Sequence, residues 1–198
     1  MKKNLLLTVL IFLLGSCSSK NHEIPIIDPG NIVNRTIFIS EIATEIDYIP
    51  LSNEILFGGL VSIELTDSLI FITPINEGLL VYDLNGNYRR QIGKRGRGPG
   101  EYRSATKFTL DKKNEIVYVL ELTKNRLLKY SYKAEFLGTT NLKTEGQSFF
   151  SEIIFSNNNL FLFEGINQGY GKYDWVVLDT LGNILSEKFN SIEKFPSY

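Results

Sequence analysis

The residues with the most evident chemical potential lie in a basic, glycine-rich segment, IGKRGRGPGEY at residues 92–102. It contains Arg95 and Arg97, in a chain whose formal net charge is only −1. Successive backbone amides can form a nest for an anion, and guanidinium groups bind carboxylate or sulfate through two hydrogen bonds. Arg95 and Arg97 are therefore candidate ligand-binding residues. The same composition also fits a connection between repeats with a solvated basic rim. It is neither a dinucleotide fingerprint nor a phosphate loop, because the spacing differs and no helical pattern follows.

A second candidate site is an aromatic stretch later in the chain. Tyr170, Tyr173 and Trp175 can stack on the faces of sugar rings, while polar neighbours supply hydrogen bonds. The stretch therefore predicts a carbohydrate-binding platform. Alternatively, Trp175 begins a strand and packs between repeats, and the glycines around Tyr170 form a loop.

Catalytic chemistry has little support in the sequence. His22 is the only histidine and precedes the predicted fold, so neither a triad with histidine nor a histidine zinc site can be assembled. The carboxylates fall mostly at turns, where Asp and Asn shape the backbone. We nominate no catalytic residue, no metal ligand and no cofactor, and the sequence favours a protein that is not an enzyme.

The N-terminus predicts export and membrane anchoring. Two lysines precede the apolar run Leu5–Leu14, a pattern typical of a signal peptide and too short for the roughly 20 residues that span a bilayer. Leu14–Cys17 resembles the bacterial lipoprotein box, so we predict a signal peptide over residues 1–16, lipidation of Cys17 and a polar tether over residues 17–34. The alternative is an ordinary secretion signal with an incidental cysteine. Export and an acidic balance argue against nucleic acid as a partner.

The elements that position these candidates follow an internal repeat. Leu79–Asp83 fits a half-buried strand, Asn85-Gly86 is a strong hairpin signal, and residues 87–92 read as the returning strand. The hairpin Asp83–Tyr88 aligns with Ser131–Phe136 and with Asp179–Ile184, and each copy is offset by 48 residues from the one before. The chain therefore contains three copies of one unit.

Each copy divides into four short strands, and four strands in about 40 to 50 residues are typical of a β-propeller blade. We predict an all-β fold over residues 35–198. It is a partial β-propeller of roughly three four-stranded antiparallel blades, at about residues 60–92, 104–141 and 150–189. The stretch Thr36–Leu51 is predicted to add an N-terminal strand.

Together these features resemble the lipid-anchored six-bladed β-propellers related to NHL repeats, which are abundant in Gram-negative gut-type bacteria. The resemblance rests on Leu14–Cys17, the opening Glu45–Leu51, the hairpin Val81–Gly86 and the glycine-rich residues 92–102, and it covers nearly all of the chain. It implies a ring of six blades, whereas this sequence holds about three. The chain is then either a fragment, which we favour, or part of a ring completed by another copy. In both cases we expect self-association through open propeller ends.

Two classes of function remain open. The first is a lipid-anchored binding or scaffolding module in the cell envelope, expected at the outer membrane of a Gram-negative bacterium, with a glycan or a protein as ligand. The alternative is a histidine-free or degenerate propeller hydrolase or lyase. The metal-dependent lyases among NHL-like propellers use histidine ligands, and the predicted blades contain none. The predicted partners are the membrane, through Cys17, the unknown ligand and a second copy of the chain.

Overall fold

The computed structural model describes residues 36–75, 77–103, 105, 107–121, 124–144, 150–164 and 173–189. The chain divides into two compact units, residues 1–46 and 47–198. The predictions for the signal peptide, the tether, Cys17 and Tyr170 lie outside the described residues. Within the described residues, no helix has the length and apolar character needed to cross a membrane.

The predicted N-terminal strand is wrong, because none of the residues in Thr36–Leu51 lies in a strand. The stretch holds a 3₁₀ turn over Ile39–Glu41, in which the Phe38 amide donates a hydrogen bond to Glu41 Oε1 at 3.0 Å. The alternating apolar residues that suggested a strand, such as Ile37, are exposed. Burial of one face is what favours a pleated strand, and this stretch lacks it.

The second unit contains three four-stranded antiparallel sheets, each a meander of consecutive strands. These sheets are the three blades of a partial β-propeller, as the repeat predicts. Blade one comprises β1 (Leu60–Leu65), β2 (Leu69–Pro74), β3 (Leu79–Asp83) and β4 (Tyr88–Ile92). The short strands β5 (Lys94–Arg95) and β6 (Glu101–Tyr102) follow. Blade two comprises β7 (Lys107–Asp111), β8 (Ile116–Glu121), β9 (Arg126–Ser131) and β10 (Phe136–Asn141). Blade three comprises β11 (Phe150–Ser156), β12 (Asn159–Glu164), β13 (Tyr173–Leu178) and β14 (Ile184–Phe189).

Equivalent hairpins join the third and fourth strands of the three blades and confirm the 48-residue register. In blade one the Gly86 amide donates to the Asp83 carbonyl at 2.9 Å, and the same bond recurs in the other two blades. Gly86, Ala134 and Gly182 all have left-handed φ angles, of +79°, +73° and +82°. Because Asn85 keeps a negative φ, the loop is a type I turn followed by a left-handed residue, not the two-residue type I′ turn that Asn-Gly most often forms.

Apolar side chains pack between successive blades. The core between blades one and two includes Phe71, Val81, Val119 and Leu128. The core between blades two and three includes Leu120, Leu127, Leu162 and Val176. A third cluster, on the other face of blade one, contains Ile70, Ile72, Leu80 and Tyr82, with Leu51, Ile55 and Phe57 packed against it. Each fully buried side chain of this kind contributes about 1.5–3 kcal/mol. This stacking places the first strands β1, β7 and β11 side by side.

Candidate functional site

A cavity lies where the first strands of the three blades meet. It has a volume of about 750 Å³ and is open to solvent. We call it the inner-strand cleft. Its polar lining includes Ser62, Glu64, Asp111, Lys112, Glu152 and Asn157. Large concave surfaces with a few convergent polar groups are where ligands bind most often, so the cleft is the first candidate site.

Successive hydrogen bonds connect the first strands of the three blades at this cleft. The Phe155 amide of blade three donates to Thr109 Oγ1 of blade two at 3.0 Å. The Thr109 hydroxyl and the Leu110 amide in turn hydrogen-bond to the Glu64 carboxylate of blade one. Burial raises the pKa of Glu64 above its usual value, although these hydrogen bonds and Lys112 oppose the shift. Glu64 is thus a fixed acceptor with a perturbed protonation equilibrium, a property that is common at functional sites.

The other carboxylates of the cleft are already engaged. Asp111 is buried and accepts hydrogen bonds from the backbone amide of Asn114 at 3.1 Å and from its side-chain amide at 2.7 Å. This is the turn-forming role of Asp that the sequence indicated. Glu152 forms an ion pair with Lys107. Glu64 is therefore the carboxylate of the cleft that is held by hydrogen bonds from β7 without an ion pair among the described residues.

Tyr132 packs near the cleft at the boundary between blades one and two. Its ring lies 4.8 Å from that of Phe71, and its hydroxyl is buried without a hydrogen-bond partner among the described residues. Burial, with the nearby Glu64 and Asp111 charges, raises the pKa of this hydroxyl. Tyr132 therefore stays a neutral phenol.

The glycine-rich segment binds an anion that belongs to the chain itself. The Gly98 amide donates to Glu101 Oε2 at 2.8 Å, and this bond, followed by one from the Arg97 amide, lowers the pKa of Glu101. The Cβ that a larger residue would carry at Gly96 would come within 2.0 Å of the same carboxylate oxygen. The amides at residues 97 and 98 thus form the predicted kind of nest, and Glu101 occupies it.

Buried tyrosines fix the same segment to blades one and two. The Tyr102 hydroxyl donates to the Ile92 carbonyl at 2.7 Å and accepts from the Leu79 amide at 3.1 Å. The Tyr130 hydroxyl donates to the Gly100 carbonyl at 2.9 Å. The segment leaves the first sheet, as predicted, and it also pairs with itself, because β5 runs parallel to β6. These contacts make it a structured connection between two blades.

The predicted site residues lie in two separate places. Arg95 and Arg97 are exposed on the glycine-rich segment, and neither lines the inner-strand cleft. Tyr173 begins β13 with its ring 1% exposed, stacked at 5.4 Å from the Phe189 ring. Trp175 lies in β13 opposite Phe163 of β12 and is half-buried. The Tyr173 ring is thus a packing group whose faces are covered, and Trp175 lies on a sheet face.

Sequence reasoning did not find the inner-strand cleft. Its signal was present in β1, where the polar residues Ser62 and Glu64 alternate with Val61 and Ile63. Such alternation shows that the two faces of the strand have different surroundings, and in the structure the polar face is half-buried on the side of blade two, whereas Ile63 of the other face is 51% exposed. The missing information was that three such strands lie side by side.

Comparisons with known proteins agree with the fold. Over residues 24–198 the chain matches the family described as Domain of unknown function (DUF4934). No curated protein matches it. It resembles the crystal structure of a Bacteroides fragilis protein that is described as an exported protein. The two share 23% identity and a TM-score of 0.60, over 74% of this chain and 42% of that one. It also resembles a DUF4221 family member from Bacteroides vulgatus, at 15% identity and a TM-score of 0.50, over 69% of this chain and 44% of that one. The chain spans less than half the length of both structures.

Proposed function

The chain belongs to the DUF4934 family, and we propose that it is an exported β-propeller module that binds a glycan in the inner-strand cleft. The observation that carries the proposal is the cleft, an open cavity of about 750 Å³ lined by all three blades. A site built from three packed sheets is held rigidly, so a ligand loses little affinity to ordering of the protein.

The lining has the chemistry that a sugar requires. A neutral sugar presents hydroxyl groups that both donate and accept hydrogen bonds, together with apolar ring faces. The cleft offers the carboxylate of Glu64, the amide of Asn157, the hydroxyl of Ser62, and the apolar side chains of Ile63 and Ile154. Acids and lysines are both present, which favours a neutral oligosaccharide over a strongly charged one.

The proposed address is the cell envelope, with the chain anchored through a lipid on Cys17. The support is the lipoprotein box Leu14–Cys17 and a structural relative described as exported. We infer attachment to the outer membrane of a Gram-negative bacterium and a distant relation to NHL-type propellers from the resemblance of the sequence.

The test is a calorimetric titration of the full chain with neutral oligosaccharides, such as cellobiose and chitobiose, and with a uronic acid oligomer. We expect a neutral sugar to bind. Asn157 has φ +50° in a tight turn, so Asn157→Gly removes its amide group and keeps the turn. Glu64→Gln and Asn157→Gly should each weaken binding roughly three- to tenfold, the value of one hydrogen bond. Glu135→Gln, at an exposed turn of blade two, is the matched control.

The same titration separates the other candidates. Loss of binding in Arg95→Ala and Arg97→Ala, with Glu64→Gln unaffected, would place an acidic ligand at the glycine-rich segment and refute the cleft. Turnover of the sugar would identify the hydrolase or lyase alternative. No binding by any of the three sugars would refute the glycan proposal.

A further inference from the structure

Blade three exposes a sheet face whose equivalents in the first two blades are covered. In blade one, Phe71 of β2 lies between Glu64 and Val81 on the neighbouring strands and is fully buried against blade two. In blade three, Phe161 of β12 occupies the equivalent place, between Ile154 and Val177. There the face is open, and Ile154 is 50% exposed.

The residues of this face form two rows across the four strands of blade three. One row is apolar over its first three strands and consists of Ile154, Phe161, Val177 and Ser186. The other has an acid at one edge, two aromatic residues in the middle and a base at the other edge. It consists of Glu152, Phe163, Trp175 and Lys188. We call these eight residues the open face; two of them, Glu152 and Ile154, also line the inner-strand cleft, so a partner on this face lies next to that cleft.

We propose that the open face binds a second copy of the same chain in a two-fold symmetric dimer. The charge pattern specifies this occupant. A two-fold axis parallel to the strands places β11 of one copy over β14 of the other, so Glu152 meets Lys188 of the second copy at both ends of the interface. The aromatic centres of both copies then pack together, which is the self-complementarity that an isologous interface requires.

The charged side chains at the two edges of the open face are exposed to solvent and can reach a second copy. The side chains of Glu152 and Lys188 are 54% and 58% exposed, although Glu152 also pairs with Lys107 of blade two and Lys188 with Asp174 of its own blade. Complementary charges at an interface fix its register and exclude other partners, while the apolar centre contributes most of the affinity.

A head-to-tail arrangement is less favourable. It would place the open face of one copy against the outer face of blade one of the next. That outer face already packs against Leu51, Ile55 and Phe57 of its own chain. The apolar face is therefore covered on blade one and exposed on blade three. This difference favours contact between the open faces of two copies, which gives a closed dimer and not a filament.

Trp175 provides a direct probe, because it is the only tryptophan in the chain and lies in the centre of the open face. Light scattering on the purified full chain should give twice the 22.5 kDa of one chain. Dilution should shift the Trp175 emission to longer wavelength and increase its quenching by acrylamide. A monomer at all concentrations, with constant Trp175 emission, would overturn the proposal.

A charge exchange tests the arrangement itself. Lys188→Glu and Glu152→Lys should each raise the dimer dissociation constant by about tenfold or more, because like charges then face each other at both ends. An equimolar mixture of the two variants should form a heterodimer, and the double variant should recover the natural dissociation constant. Lys133→Glu, on an exposed turn of blade two, is the control.

Misfolding of a variant and loss of the dimer contact give different results. A variant that merely misfolds would not recover its association on mixing, and circular dichroism of each single variant checks for that loss of structure. Dimers that are unaffected by either single exchange, or weak single variants that fail to form a heterodimer, would refute the two-fold contact between Glu152 and Lys188.

Discussion

The left-handed residue of the repeated hairpin gives the sharpest prediction of stability. The position is glycine in blades one and three, Gly86 and Gly182, and alanine in blade two, Ala134. All three have φ between +73° and +82°. The chain therefore has glycine and alanine at equivalent left-handed positions, and we consider the reciprocal substitutions Gly86→Ala and Ala134→Gly together.

The expected magnitudes follow from the geometry. A left-handed conformation costs a residue with a Cβ roughly 1–2 kcal/mol. At Gly86 the Cβ would also lie 2.0 Å from the carbonyl oxygen of Pro50, so the segment beside it must move. That movement weakens the hydrogen bond from the Ser52 amide to the Gly86 carbonyl, at 2.7 Å, which is worth about 0.5–1.5 kcal/mol. Gly86→Ala should therefore lower the free energy of unfolding by about 2–3 kcal/mol.

Ala134→Gly should have the opposite sign. It relieves the left-handed strain and should stabilise by about 1 kcal/mol, after part of the gain is offset by the greater freedom of glycine in the unfolded chain. Gly182→Ala should lie between the natural chain and Gly86→Ala, because its Cβ would meet the Asn141 carbonyl oxygen at 2.6 Å. Urea denaturation followed by circular dichroism measures all three variants. A destabilised Ala134→Gly, or a Gly86→Ala variant with an unchanged unfolding free energy, would refute the reasoning.

Three further predictions concern charged groups and the anchor. Arg126→Ala should cost about 3–5 kcal/mol of unfolding free energy, because it leaves the buried Glu121 carboxylate without its ion-pair partner at 2.5 Å. Glu121→Gln should cost less, and equal losses would contradict this. The raised pKa of Glu64 means that this carboxyl stabilises the fold below its usual pKa of 4.5 and loses that contribution as the pH rises through its folded pKa. Glu64→Gln should thus gain stability relative to the natural chain from acidic to neutral pH, and parallel pH profiles would contradict it. Cys17→Ala should move the protein from the membrane fraction to the soluble fraction, and mass spectrometry should find acylated Cys17 only in the natural chain.

The blades were predictable because their signals are local and repeated. The pattern of Asp83, Asn85 and Gly86 marks a turn by itself, and Asp83 Oδ1 accepts a hydrogen bond from the Asn85 amide at 2.9 Å, as such a turn requires. The same arrangement recurs at Asp179, where Oδ1 accepts the Leu181 amide at 2.9 Å. A repeat of 48 residues then fixes every strand between these turns.

The site was less predictable because it depends on contacts between distant residues. The anion nest was identified from its glycines, yet the identity of its occupant, Glu101, depends on how the segment folds back on itself. Tyr173 and Trp175 are two residues apart, so regular alternation would place both on one face of β13. A register shift between them buries Tyr173 and leaves Trp175 half-buried on the open face. The N-terminal strand failed for a similar reason, since the apolar residues around Ile37 have no buried face to favour it.

The most direct test of the account is hydrogen exchange of the full chain with and without a saturating neutral oligosaccharide from the titration. Binding in the inner-strand cleft predicts slower exchange in β1, β7 and the β11–β12 turn, with little change in β4 or in the glycine-rich segment. Slower exchange confined to the glycine-rich segment or to β13 would contradict the proposed site, and exchange that is unchanged throughout would contradict glycan binding.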